Sequence, residues 1–187
     1  MKRLFLFSLS CILLVFVACK KSKDKKVEIN IEGFALKDAM GNSMGVVGNA
    51  DDDWQIRNWS EFSITEQSFL NFSDNVDLTN TLVSTVYNPL AFPNPFNYVS
   101  SIQFRSDDSV KLKIAVVDSN GKIAKTLALK IKGSMAFNFD FSEMIQYPSG
   151  KSFRYYYSFS AAVQPNFKAG YGDVKVCRTI ASYLNCF

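Results

Sequence analysis

The side chains that could do chemistry are few, and the carboxylates come first. Asp51, Asp52 and Asp53 stand in a row ahead of Trp54, and Asp107 and Asp108 form a second adjacent pair. Three neighbouring carboxylates offer hard oxygen ligands to calcium. A calcium loop, however, spaces its ligands at alternating positions around a sharp internal turn. The run at 51–53 lacks that pattern and reads as a solvated loop. Two carboxylates could also flank a glycosidic bond, and Asp107 with Asp108, or Glu61 with Glu66, are the available pairs. Asp107 and Asp108 read as turn residues that point apart. The chain has no histidine, which removes the usual triads and imidazole bases. No serine sits in a Gly-x-Ser-x-Gly elbow. The glycines of residues 41–48 are not followed by the Lys-Ser/Thr of a phosphate loop. No catalytic residue, metal site or cofactor is therefore expected.

Flat aromatic faces are the next candidates. Trp54 and Trp59 are the only tryptophans, and Tyr155 and Tyr156 lie in an aromatic run. Together they could stack on a sugar ring or a peptide. The preferred reading is that the tryptophans pack an extension onto the core. Of four cysteines, Cys177 and Cys186 lie near the C-terminus. In an oxidising compartment they are predicted to form a disulfide, with two free thiols as the alternative. Closing so short a loop is worth roughly 2–3 kcal/mol. Two cysteines without histidine do not fill a zinc site.

The elements that must position these groups read as strands. Phe92-Pro93-Asn94-Pro95-Phe96-Asn97 opens the central stretch, residues 88–127, and its prolines favour extended geometry in the residues before them. Ile102 and Phe104 alternate with polar neighbours. A polar break, Ser106-Asp107-Asp108-Ser109, leads to Val110, Leu112, Ile114 and Val116, also alternating. Asp118-Ser119-Asn120-Gly121 then predicts a hairpin turn into Ile123, Leu127 and Leu129. Met135, Phe137, Phe139 and Phe141 predict a further strand, and Tyr147-Pro148-Ser149-Gly150 a turn. Residues 153–161 predict a long strand whose second face, Arg154, Tyr156, Ser158 and Ser160, is half-solvated. Upstream, residues 27–36 predict a strand, 37–50 a loop, 63–70 a short capped helix, 71–80 a polar loop and 82–87 a strand. Downstream, 164–172 read as a loop, 173–178 as a short strand, and 183–187 as a segment that pairs back on it. Short strands between turn signals, with almost no helix, predict an all-β fold: an antiparallel β-sandwich (88–187) with a loop-rich extension (27–87) packed on it.

The start of the chain is of another kind. Met1-Lys2-Arg3 is positive, residues 4–18 are almost wholly apolar, and Val17-Ala18-Cys19 follows. This resembles a bacterial lipoprotein signal peptide, residues 1–18, cut before a lipid-carrying Cys19. Residues 19–26 are then a lysine-rich tether beside the membrane, where each lysine gains about 1 kcal/mol from anionic head groups. Of 21 basic and 17 acidic residues, seven and one precede Val27, which leaves 14 against 16. The body is near neutral, so no nucleic-acid partner is expected.

The run from Pro93-Asn94-Pro95-Phe96-Asn97 through Ile102-Gln103-Phe104, Val110 to Ile114 and Asp118-Ser119-Asn120-Gly121 resembles a known family. It is the immunoglobulin-like sorting domain of the type IX secretion system, with the related domain of the flagellar hook-capping protein. The match covers about residues 88–161 and implies an Ig-like fold in a Bacteroidota-like lipoprotein. A cleaved sorting domain should end soon after its last strand, whereas residues 162–187 continue here. The expected function is a non-catalytic envelope lipoprotein with a structural or protein-binding role, its partners the membrane and another envelope protein or a glycan. A carbohydrate- or peptide-binding module and a type IX cargo are the alternatives. The basic tether favours an outer-membrane site facing the periplasm, with surface exposure the other outcome.

Overall fold

A computed structural model describes residues 27–142, 149–178 and 186. The signal peptide, the tether with Cys19, Tyr147 and Pro148 of the expected turn, and the segment expected to pair back from residue 183 lie outside these, apart from Cys186. The described chain is almost all β, with antiparallel sheets in a sandwich-like arrangement.

The alternating central stretch forms the longest hairpin. Strand β5 (Val99–Asp118) and strand β6 (Ile123–Asp140) pair along nearly their whole length. The expected turn joins them: the Gly121 N–H donates to Asp118 O at 2.9 Å, and Asp118 Oδ1 accepts from the N–H groups of Asn120 and Lys122. The separate strand expected at Met135 is the far half of β6. The polar break at residues 106–109 is not a turn but an irregularity inside β5, where the register jumps from Ser106↔Gly133 to Val110↔Ile131. Its polar groups are met from a neighbouring segment. The Asp107 and Asp108 N–H groups donate to Thr85 O and Ser84 Oγ, and Leu82 N–H donates to Ser109 O. The irregularity also marks an exchange of partners. Before it, β5 pairs with β4 (Val86–Phe92); after it, with β7 (Ser152–Ala161). A strand that bends at a bulge can serve two layers.

Beyond β7 the sheet continues through β8 (Gln164–Lys175) to β3 (Gln55–Arg57). The predicted loop at 164–172 is therefore a strand. Pro165 stands at its start, where a missing N–H is tolerated. Gly170 and Gly172 are there for room: a Cβ on Gly172 would lie 2.1 Å from the Trp54 indole, and one on Gly170 would lie 2.2 Å from the Tyr157 hydroxyl. The predicted loop at 37–50 is largely a hairpin of β1 (Gly33–Lys37) and β2 (Ser43–Gly48). Asp38 Oδ1 closes it by accepting from Met40 and Asn42 N–H, 2.8 Å each. The strand expected at 27–36 begins only at Gly33; Ile29 instead donates its N–H to Ser119 O. The strand expected at 82–87 lies later, as β4. The helix is as predicted: α1 (Ile64–Phe69) is capped by Ser63, with Glu66 reaching back to it.

Two apolar clusters result. The larger fills the space enclosed by the sheets and includes Ile102, Phe104, Leu112, Ile114, Phe139 and Tyr157. The smaller covers the opposite face of β5 and β7: Phe62, Phe69 and Leu70 close over Tyr156, Ala115 and Val117. The face of β7 expected to be half-solvated is thus buried, Ser158 and Ser160 included. Covering it with three large side chains stabilises by roughly 1.5–3 kcal/mol each. Asp74 pins the same segment. Lys111 and Lys113 approach its carboxylate at 2.9 and 3.0 Å.

The proline stretch ends on a stitch. Both Phe92–Pro93 and Asn94–Pro95 are cis. The buried Asn94 donates from Nδ2 to Ala35 O and Asp173 O, and its Oδ1 accepts from Lys175 N–H. Its backbone pairs with Lys37 as well. One side chain therefore ties β1 to β8. Nearby, Phe96 N–H donates to Lys175 O, and Cys177 N–H to Phe96 O. Cys177 and Cys186 form the predicted disulfide.

Because the indole lies against the backbone of β8, Gly172→Ala is expected to lower stability by about 3 kcal/mol in urea titration. An unchanged midpoint would show that Trp54 does not press on this strand.

Candidate functional site

The carboxylate run does not stay in solvent. Asp51 and Asp52 are exposed, but the backbone turns at Trp54, whose φ is 59°, and Trp54 N–H donates to Tyr171 O. That turn drives the indole into the core and carries Asp53 with it. Asp53 Oδ1 accepts the N–H of Asp173, and its Oδ2 lies 3.4 Å from Ala35 N. Arg154 on β7 lies opposite Asp173 on β8. The two form a fork, Nε to Oδ1 at 2.8 Å and an Nη to Oδ2 at 2.6 Å. The same Nη also donates to Asn30 O at 3.0 Å. The guanidinium lies 4.2 Å from the centre of the Tyr171 ring, and Arg57, paired with Asp52, lies 4.6 Å from the same centre.

Asp52, Asp53, Arg154, Tyr171 and Asp173 line a cleft of about 220 Å³ between β1 and the β7–β8 pair, together with Asn30, Glu32 and Asn49. Its electrostatics are set by burial. Desolvation, reinforced by the Asp173 carboxylate, pushes the Asp53 carboxyl up to about 7. Asp173 is raised too by burial, against which Arg154 works. Desolvation disfavours the Arg154 charge, but the Asp173 carboxylate outweighs it and raises the arginine further. The fork uses the guanidinium on its own carboxylate and on Asn30. What the cleft can do chemically is hold and release a proton at Asp53 near neutrality. Among the described residues no three His, Cys, Asp or Glu side chains converge as a metal site.

The aromatic candidates are not brought together on a surface. Trp54 is buried, stacked on Tyr157 with ring centres 6.4 Å apart and 6.0 Å from Tyr155. Tyr155 belongs to the large core. Tyr156 faces the other way, 5.2 Å from Phe69 and edge-on to Phe62. Burial pushes the Tyr156 hydroxyl up to about 12. Trp59 is half-buried against Phe62 and lines a shallow cleft with Ile64, Gln67 and Lys113. Trp54, Tyr155 and Tyr156 thus offer no face for stacking. Glu61 and Glu66 do not pair either: each folds back on its own turn, Glu61 to Asn58 and Glu66 to Ser63. Asp107 accepts the Tyr87 hydroxyl, and Asp108 faces Lys132.

Arg154 and Asp173 were not candidates in the sequence. The signal was there: reading residues 152–175 as a hairpin puts them opposite each other, but the glycines suggested a loop. No family model matches the chain, and no curated protein matches it.

The proton on Asp53 makes a signed prediction. Its folded value, about 7, lies above the ordinary 3.8, so the folded state binds more protons between those limits. Stability is then fully present below about 4 and is lost as pH rises through about 7. Asp173 contributes with the same sign. Asp53→Asn keeps the oxygen that accepts the Asp173 N–H and is expected to flatten most of this slope in urea titrations from pH 4 to 8. An unchanged slope would exclude a protonated Asp53.

Proposed function

We propose that this protein is a non-catalytic cell-envelope lipoprotein, held to the membrane through Cys19, whose Ig-like β-sandwich serves a structural or protein-binding role. The observation that carries the reading is the bond between Cys177 and Cys186. Such bonds persist in oxidising compartments. An apolar leader ending in Val17-Ala18-Cys19 is a route to one, and a cysteine at that junction is where a lipid would be attached. Two or more acyl chains make such an anchor effectively permanent.

The burial of the carboxylates supports the non-catalytic part. Asp53 accepts the Asp173 N–H, and the Asp173 carboxylate is held by the Arg154 fork. Glycan binding has less support, because Trp54, Tyr155 and Tyr156 are buried and of the four aromatic candidates Trp59 alone keeps an accessible face. The resemblance to the type IX sorting domain enters this reading as architecture rather than as a transport signal. An outer-membrane position facing the periplasm suits the lysine-rich tether.

Cells fed radiolabelled palmitate are expected to label the wild-type protein in the membrane fraction. Cys19→Ser is expected to abolish the label and release the protein on osmotic shock. A wild-type protein that carries no label, or one whose mature form begins at Met1, would overturn the lipoprotein reading.

A further inference from the structure

We propose that the outer edge of β6, residues 132–140, is a self-pairing surface on which a second copy of this chain docks as an antiparallel strand. Among the described residues β6 pairs with β5 and with no other strand. Alternate residues of an unpaired edge point backbone N–H and C=O groups outward, a template for another strand. The edge is unevenly guarded. Lys125 and Lys130 stand along its first part, and charges of that kind discourage pairing. From Gly133 to Phe139 there is no charged residue. Ser134, Met135, Ala136 and Asn138 in that part are exposed.

The stretch is complementary to itself when reversed. With Ala136 meeting Ala136 on a two-fold axis, Met135 faces Phe137, Gly133 faces Phe139, Ser134 faces Asn138 and Lys132 faces Asp140. The faces sort correctly. Phe139 is buried and Phe137 packs against the core, so the odd-numbered residues lie on the core side. Their pairs are apolar, and each glycine is covered by a ring, a recognised way of stabilising a strand glycine. Apart from the small Ala136 pair on the axis, the even-numbered pairs are polar, with two opposite-charge contacts generated by the symmetry. Both charges are accessible. The Lys132 side chain is 65% exposed and lies 3.5 Å from the exposed Asp108. Asp140 is exposed and uses Oδ1 on Ser142 N–H. Gly133 has a φ of 70°, and the proposed pairing ends one residue beyond it, at Lys132. So short an interface makes a weak, concentration-dependent dimer.

Sedimentation of the full chain in mild detergent tests this. The wild type is expected to dimerise reversibly. Lys132→Asp and Asp140→Lys, which put like charges opposite each other, are each expected to weaken association about tenfold. The double variant, with both charges exchanged, is expected to restore it. Ala136→Cys should give a dimer linked through residue 136 on mild oxidation, identified by mass spectrometry. Thr126→Cys, exposed on the same strand outside the register, should not. Thermal unfolding of each variant checks that the exposed substitutions leave the fold intact. A monomer across the series, a double variant no better than the single ones, or equal linking at residues 126 and 136 would each overturn the proposal.

Discussion

In an antiparallel sheet one face is commonly left to solvent; in β7 neither is. Tyr155, Tyr157 and Phe159 fill the enclosed core, while Tyr156, Ser158 and Ser160 are buried on the opposite side. This double burial dictates what the first part of the chain must do. Residues 58–72 contribute no strand, only a 3-10 turn and the short α1, yet they supply Phe62, Phe69 and Leu70 as a lid for the second face. Lys113 fastens that lid twice over, through the Asp74 carboxylate and through the carbonyls of Leu70 and Phe72. Although desolvation works against it, the pair of lysines holds the Asp74 carboxyl down at about 2. The extension is therefore one of the walls of the structure, and β3 within it is a strand of the main sheet.

The β1–β2 ribbon is attached differently. Ala35 reaches β8 through Asp53 and Asn94, and Lys37 pairs with Asn94. These are polar contacts, formed where Asp173 is kept from water. A buried ion pair is weak support for stability in itself, because desolvation takes back most of the attraction. Leaving either partner alone costs far more. The ribbon and the buried carboxylates therefore depend on each other: the ribbon helps exclude water from them, and Asp53 and Asn94 satisfy its backbone.

Much of the fold was legible because period-two alternation survives wherever one face of a strand is buried. Ile102, Phe104, Leu112, Ile114 and Val116 were placed inward on that ground, and the Asn-Gly turn and Ser63 cap followed from local chemistry. The errors share a cause. Asp107 and Asp108 looked like a turn because the run from Ser106 to Ser109 interrupts the apolar alternation; a neighbouring segment that meets their amides is invisible to local reading. Gly170 and Gly172 looked like a loop because nothing near them in sequence reveals an indole or a phenol pressed against the backbone. The half-solvated face of β7 followed from its Ser and Arg residues, and only the docked extension shows why Ser158 and Ser160 are buried. The cleft was illegible for the same reason, since Asp53 and Asp173 are 120 residues apart, and the three groups meet only through the pairing of β8 with β7 and with β3.

The stitch at Asn94 has a consequence for how the molecule ages. An asparagine side chain loses ammonia when the backbone nitrogen of the next residue attacks it and closes a five-membered imide. Asn94 is followed by Pro95, whose nitrogen carries no hydrogen to give up, so the amide that joins Ala35, Asp173 and Lys175 is shielded from that reaction by its own neighbour. Asn120, exposed and followed by Gly121, has no such shield. Over a long life in the cell, chemical wear would begin at the outer hairpin turn and spare the internal knot.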